Sequence, residues 1–145
     1  GLAFGAGLPT VPVSTLAGLA QGEFRRSGRT RVLAALDARM GEVYWAACTL
    51  GGGGVMEVGD EEGVYPPAEV PIPAGGDWWG VGPGWAVYAD ALTRRAGGIA
   101  GMSAEAGCSA RDLGEIAAVE VQAGRLTPAE GALPVYLRDR VTHQR

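Results

Sequence analysis

Apolar and polar positions along the chain sort into short runs separated by glycine and proline. Residues 31–37, Arg-Val-Leu-Ala-Ala-Leu-Asp, are an almost unbroken apolar run, the pattern of a strand buried on both faces. Residues 43–50 form a second run, in which Val43, Tyr44 and Trp45 favour β structure. Only residues 38–42, containing Gly41, separate them, which predicts an antiparallel hairpin. Residues 55–58 predict a third antiparallel strand, reached through the four glycines 51–54. Pro66 and Pro67 predict a helix start, ended by Pro71 and Pro73. Residues 78–81 predict a fourth strand, and Gly82-Pro83-Gly84 turns the chain. Trp85, Tyr88, Leu92 and Ala96 then recur at helical period. Ser109 caps a last helix, with Ala110, Leu113, Ile116, Ala117 and Val121 on its buried side and Gly124 at its stop.

Ahead of the hairpin, residues 1–7 read as the end of a helix broken at Leu8-Pro9, and residues 10–13 as a short β-type run. Ser14 is a good N-cap for a helix ending at Gly22, with Leu16, Leu19 and Ala20 on one stripe. This helix is apolar nearly all round, so it needs cover on more than one side, from its own chain or from a partner. Residues 134–145 read as an extended tail, basic at its end. The order is βββαβαα after a helical lead-in, an α/β domain that begins with three antiparallel strands.

With 145 residues, 47% of them hydrophobic, the chain can build a sizeable core without disulfides. Cys48 and Cys108 are too few for a staple framework. No 18-residue apolar run predicts a membrane span, and no charged n-region precedes an apolar stretch in residues 1–20, so no signal peptide is expected there. A net charge of −4 and a pI near 5.0 argue against a duplex-binding module. The charge is uneven, since residues 57–93 hold seven acids and no base. Arg25, Arg26, Arg29 and Arg31 form the one basic cluster, read either as a solvated loop between two elements or as a contact for a partner or RNA.

Catalytic chemistry has few candidates. The single histidine, His143, stands three residues from the end, a poor position for the base of a Ser-His-Asp triad or Cys-His pair. Cys48, Cys108 and His143 lack metal-ligand spacing, so no metal site is expected. Asp37 and Glu42 flank the hairpin loop; two carboxylates there could bind Mg²⁺ or do acid/base work, or Asp37 could bond its own turn and Glu42 pair with Arg39. Gly80-Val81-Gly82-Pro83-Gly84-Trp85 links a strand to a helix, where backbone N–H groups can hold phosphate. It lacks a G-x-G-x-x-G fingerprint and a Walker lysine, and Pro83 removes a donor. The alternative is a tight turn with Trp85 packed in the core.

Several segments in order resemble the TsaB (YeaZ) family. They are residues 1–20, Leu36-Asp-Ala-Arg-Met-Gly-Glu-Val-Tyr-Trp45, Gly82-Pro-Gly-Trp85 and Pro134-Val-Tyr-Leu-Arg-Asp139. The resemblance implies the C-terminal part of a family member, without the N-terminal lobe. Its fold would be an RNase H-like lobe of the actin/Hsp70/sugar-kinase superfamily, a mixed sheet flanked by helices. Residues 1–29 would be a lead-in left from inter-lobe and dimerisation helices, 30–133 the lobe and 134–145 the tail. The implied function is a cytoplasmic, non-catalytic subunit for threonylcarbamoyladenosine formation on tRNA, with no cofactor of its own. It would support the catalytic subunit TsaD, together with the ATPase TsaE, and meet tRNA only indirectly.

In the family the partner interface is a helix pair, which would place Ser14, Leu16, Leu19 and Ala20 at a contact with TsaD or in a homodimer. Asp37, Gly82 and Gly84 match the superfamily's nucleotide site. Ala38 and Arg39 follow Asp37 where nucleotide-binding members carry glycine, which marks the site as vestigial. The competing reading is a nucleotide-binding, kinase-like or ATP-hydrolysing lobe using Asp37, Glu42 and the 82–84 turn. A peptidase comes last, for want of a nucleophile–base pair.

Overall fold

The computed structural model describes residues 6–128, so the expectations for residues 1–5 and for the tail 134–145, His143 included, lie outside the described residues. Strands β1 (Pro9–Thr10) and β8 (Thr127–Pro128) pair antiparallel in a small ribbon. Between them come helix α1 (Thr15–Ser27), strands β2 (Arg31–Arg39), β3 (Glu42–Leu50), β4 (Met56–Val58) and β5 (Gly63–Tyr65), and a 3₁₀ turn, Pro67–Glu69. Strand β6 (Trp79–Val81), helix α2 (Pro83–Ala96), strand β7 (Gly101–Ser103) and helix α3 (Ala110–Gln122) complete the chain. The main sheet has the order β4-β3-β2-β6-β7, with β5 also paired to β3. Strands β2, β3 and β4 are antiparallel neighbours, whereas β6 and β7 run parallel to β2.

Strand β2 is the axis. Its apolar run lies between β3 and β6, and Val32, Leu33, Ala34 and Ala35 are all inaccessible to solvent. Alternation divides these side chains between two layers. Val32 and Ala34 join Ala46, Cys48, Met56, Leu16, Leu19 and Ala20 under α1. Leu33 and Ala35 join Val43, Trp45, Trp85 and Leu92 under α2. The sheet is therefore mixed, with α1 and α3 on one face and α2 on the other.

Several expectations change. Helix α1 runs five residues past Gly22, to Ser27, and ends at Gly28, whose φ of 74° accepts the left-handed C-cap. Arg25 and Arg26 are thus its last turn and Arg31 begins β2, so the basic cluster is not one loop. The proline start at Pro66 makes only a 3₁₀ turn, and β5 and β7, three residues each, carry too little pattern to be read from sequence. On α3, Ala110 and Val121 are exposed, while Asp112 is buried. Helix α1 shares one core with residues 32–81.

Helix α2 docks through glycine. A Cβ on Gly80 would stand 2.5 Å from the Trp85 indole, and one on Gly84 would stand 2.8 Å from the Ala35 Cβ. With both absent, Trp85 sinks fully into the core, donates from Nε1 to the Leu33 carbonyl at 2.8 Å and packs 6.0 Å from Trp45. Helix α3 docks on α1 in the same way, over Gly18 and Gly22, whose missing side chains leave room for Cys108, Leu113 and the Asp112 carboxylate. Asp112, fully buried, accepts from Arg25 Nε at 2.8 Å and from the Ser109 hydroxyl at 2.6 Å, while Ser109 accepts the Asp112 N–H.

Two outcomes follow from this packing. Gly84→Val drives a branched side chain into Ala35 and should lower unfolding free energy by about 1–3 kcal/mol, measured by urea denaturation. The Arg25 hydrogen bond holds the Asp112 carboxyl below its usual range, against the opposing effect of burial. A depressed folded pKa means that the stabilisation is complete above the unfolded value of about 3.9 and is lost as pH falls through the folded value. Urea midpoints measured across that acid range should fall for the wild type, and Asp112→Asn should lower the neutral-pH midpoint and flatten the fall.

Candidate functional site

Strands β2 and β6 lie in parallel register, Ala34 opposite Val81, so their C-terminal ends share one edge of the sheet. Ligands of open α/β sheets bind outside that edge. Asp37 lies three residues beyond Ala34, and Gly82 opens the turn after β6, so the predicted residues Asp37, Gly82 and Gly84 do come to one edge.

Their chemistry there is internal. Gly82 has φ 106°, and a Cβ on it would stand 2.5 Å from the Ala35 carbonyl oxygen. Its N–H donates to the Ser103 carbonyl at 3.1 Å, and its carbonyl accepts the Trp85 N–H at 3.1 Å. Pro83, at the first turn of α2, has no N–H to offer. The turn is shaped to seat α2 against β2, which is the packing alternative of the two open from sequence. Asp37 accepts the Arg39 N–H through Oδ1 at 2.8 Å and so stabilises the hairpin tip. Arg39, Met40 and Gly41 there all have positive φ, of 65°, 54° and 77°, and Met40 is 87% exposed. Glu42 pairs with Arg39 across the strand bulge in backbone register.

Three of the four interface candidates sit in the chain's own core. Leu16, Leu19 and Ala20 are 2%, 1% and 0% exposed, covered by the chain's own sheet. Residues 16–23 are buried all round, with the sheet on one side and α3 on the other, so the cover this apolar stretch needs comes from the chain's own elements. Ser14 is its N-cap, accepting from the Leu16 and Ala17 N–H groups at 3.2 and 3.4 Å and donating to Glu62 Oε1 at 3.0 Å.

Cys48 is buried and Cys108 half-buried, and desolvation pushes both thiols up, Cys48 far more. Among the described residues no three His, Cys, Asp or Glu side chains group closely enough to hold a metal ion. A cavity of about 60 Å³ lies elsewhere, between Trp45, Pro71, Pro73, Asp60 and Glu61. Cofactor pockets are several times larger.

Sequence reasoning missed the Arg25–Asp112–Ser109 seam and the stacking of Arg29 on Trp79 and Arg31 on Trp78. The first had a signal in Ser109-x-x-Asp112, a capping-box spacing. The second had none, because it joins residues about 50 positions apart.

Residues 1–141 match the family model described as TsaD, tRNA N6-adenosine threonylcarbamoyltransferase. The chain is 41% identical over 144 residues to the tRNA threonylcarbamoyladenosine biosynthesis protein TsaB of Escherichia coli K12, covering 97% of this chain and 62% of that protein. The TsaB of Haemophilus influenzae is 52% identical over 46 residues, which cover 32% of this chain and 20% of that protein. Among solved structures, YeaZ from Pseudomonas aeruginosa superposes with a TM-score of 0.84 at 40% identity, covering 93% of this chain and 63% of that one. A further Pseudomonas aeruginosa structure, described as similar to peptidase YEAZ, gives 0.85 at 41% identity over 94% and 62%. The chain thus spans about three fifths of the length of these longer relatives. With a family match over nearly the whole chain and a common fold, the chain belongs to the threonylcarbamoyltransferase family, in its TsaB/YeaZ branch.

Proposed function

We propose that this chain is a non-catalytic part of the cytoplasmic machinery that forms threonylcarbamoyladenosine on tRNA, supporting the transferase TsaD with TsaE as a further partner. The TsaB relatives support the process, by the biosynthesis named for them. A second support is the sheet order, three antiparallel strands followed by two parallel ones, which fits an RNase H-like lobe of the actin/Hsp70/sugar-kinase kind.

One observation carries the non-catalytic reading. At the edge where a nucleotide would sit, the Gly82–Gly84 turn is closed onto Ala35 and the Asp37 carboxylate is held by its own hairpin. A turn closed by packing leaves little room to cradle phosphate beside Asp37, whose exposed carboxylate accepts from its own hairpin through one oxygen. The chain's contribution is then a surface, and the edge keeps its shape for folding.

The test is reconstituted modification of tRNA with TsaD and TsaE. Omitting the chain should stop threonylcarbamoyladenosine formation, and Asp37→Ala should leave its rate unchanged once the variant is shown to fold. Saturable binding of ATP and Mg²⁺ to the chain alone by calorimetry, lost in Asp37→Ala, would overturn the reading in favour of a nucleotide-hydrolysing lobe.

A further inference from the structure

The opposite edge of the sheet has a different character. There β2, β6 and β7 begin, and α1 and α2 end. The Arg29 guanidinium lies 4.2 Å from the Trp79 ring centroid, and that of Arg31 lies 4.6 Å from Trp78. Arg31 also donates through Nη2 to the Ala74 carbonyl at 2.9 Å, and Trp79 is fixed by donating from Nε1 to Ser103 Oγ at 3.0 Å. Trp79 packs over Gly101, and the Trp78 carbonyl accepts the Ala100 N–H at 2.8 Å, which ties both rings to the loop after α2. Arg94 and Arg95 form the last turn of α2, immediately before that loop, and are exposed.

The arginines divide by partner. Arg25, Arg26, Arg111 and Arg125 each pair with a carboxylate. Among the described residues the other five form no ion pair; Arg39 stands apart at the hairpin tip, and Arg29, Arg31, Arg94 and Arg95 all stand at this one edge. Asp77 precedes Trp78 there, and Glu57 shares a cross-strand row with Arg31 through Thr49. Arg94 and Arg95 also complement the C-terminal dipole of α2. That account does not reach Arg29 and Arg31, which lie outside any helix and sit over indole rings. Stacked guanidinium groups retain their in-plane donors, the arrangement that grips phosphate oxygens.

We infer that this edge, centred on Arg29, Arg31, Arg94 and Arg95, is a direct contact for the phosphate backbone of RNA. The inference rests on the tRNA reading above for the choice of RNA, and it departs from the expectation that tRNA is met only indirectly. A net-acidic chain needs its cations gathered on one edge to hold a polyanion, and these four are gathered and unpaired.

Fluorescence anisotropy with unmodified tRNA tests it on the full chain. Arg94→Gln with Arg95→Gln changes two exposed helix positions, and Arg111→Gln removes one charge from α3 as a control. The double variant should bind tRNA roughly tenfold more weakly at low salt, with a log–log salt slope shallower by about two. Arg29→Gln should weaken it further, and Arg111→Gln should leave binding near wild type.

Absence of wild-type binding, equal loss in Arg111→Gln, or tighter binding to polyglutamate than to tRNA would each overturn the inference. In reconstituted modification the double variant should raise the KM for tRNA with kcat unchanged. An unchanged KM overturns the RNA contact and leaves the proposed function standing. Loss of tRNA binding in a chain whose wild type supports no modification overturns the function and leaves the contact.

Discussion

A strand buried on both faces between two helical layers fixes how near those layers can come. Strand β2 sets that limit with Ala34 towards α1 and Ala35 towards α2. The close approach on the α2 side needs three glycines at once: Gly80 under the Trp85 ring, Gly82 against the Ala35 carbonyl and Gly84 against the Ala35 side chain. The hydrogen bond from Trp85 to Leu33 then locks the helix in place. A buried indole N–H without a partner would cost about 1–3 kcal/mol, so that bond specifies the position as well as stabilising it.

The other layer uses the same device with a polar lock. Gly18 and Gly22, one turn apart on α1, let α3 lie close enough for the Asp112 carboxylate to reach Arg25. The carboxylate is fully buried, and Ser109 and Arg25 both donate to it. Gln21 extends the seam, donating to Glu115 and accepting the Met56 N–H. Helix α3 therefore takes its position from directional bonds as much as from Ile116 and Val119. A purely apolar contact would fix it less sharply.

What could be read from the sequence divides along the same line. Strands β2 and β3 were legible because residues 31–37 and 43–50 are short apolar runs bounded by turn signals, and α2 because Trp85 and Leu92 repeat at helical spacing. The true length of α1 was not, because Gly22 resembles a stop signal while its role is to admit Asp112 from a segment 90 positions later. Glycine reads locally as flexibility, and here several glycines are there for absent volume. Asp37, Gly82 and Gly84 lie at one edge of the sheet, and the turn there packs on Ala35 with Trp85 seated in the core. Leu16, Leu19 and Ala20 were legible as a stripe that needs cover, and within this chain the sheet supplies it.

The two edges of the sheet then acquire opposite characters from one geometry. Right-handed βαβ connections send α2 back across the sheet, so its N-terminus meets the end of β6 and its C-terminus the start of β7. At the first edge, close packing uses the space and the N–H groups that a phosphate would need. At the second, Gly97 and Gly98 turn the chain towards β7, Gly101 leaves room for the Trp79 ring, and arginine sits over Trp78 and Trp79. Tight closure at one edge and cation display at the other are consequences of where the small residues fall. A surface for other molecules is more readily built on the edge that packing leaves open.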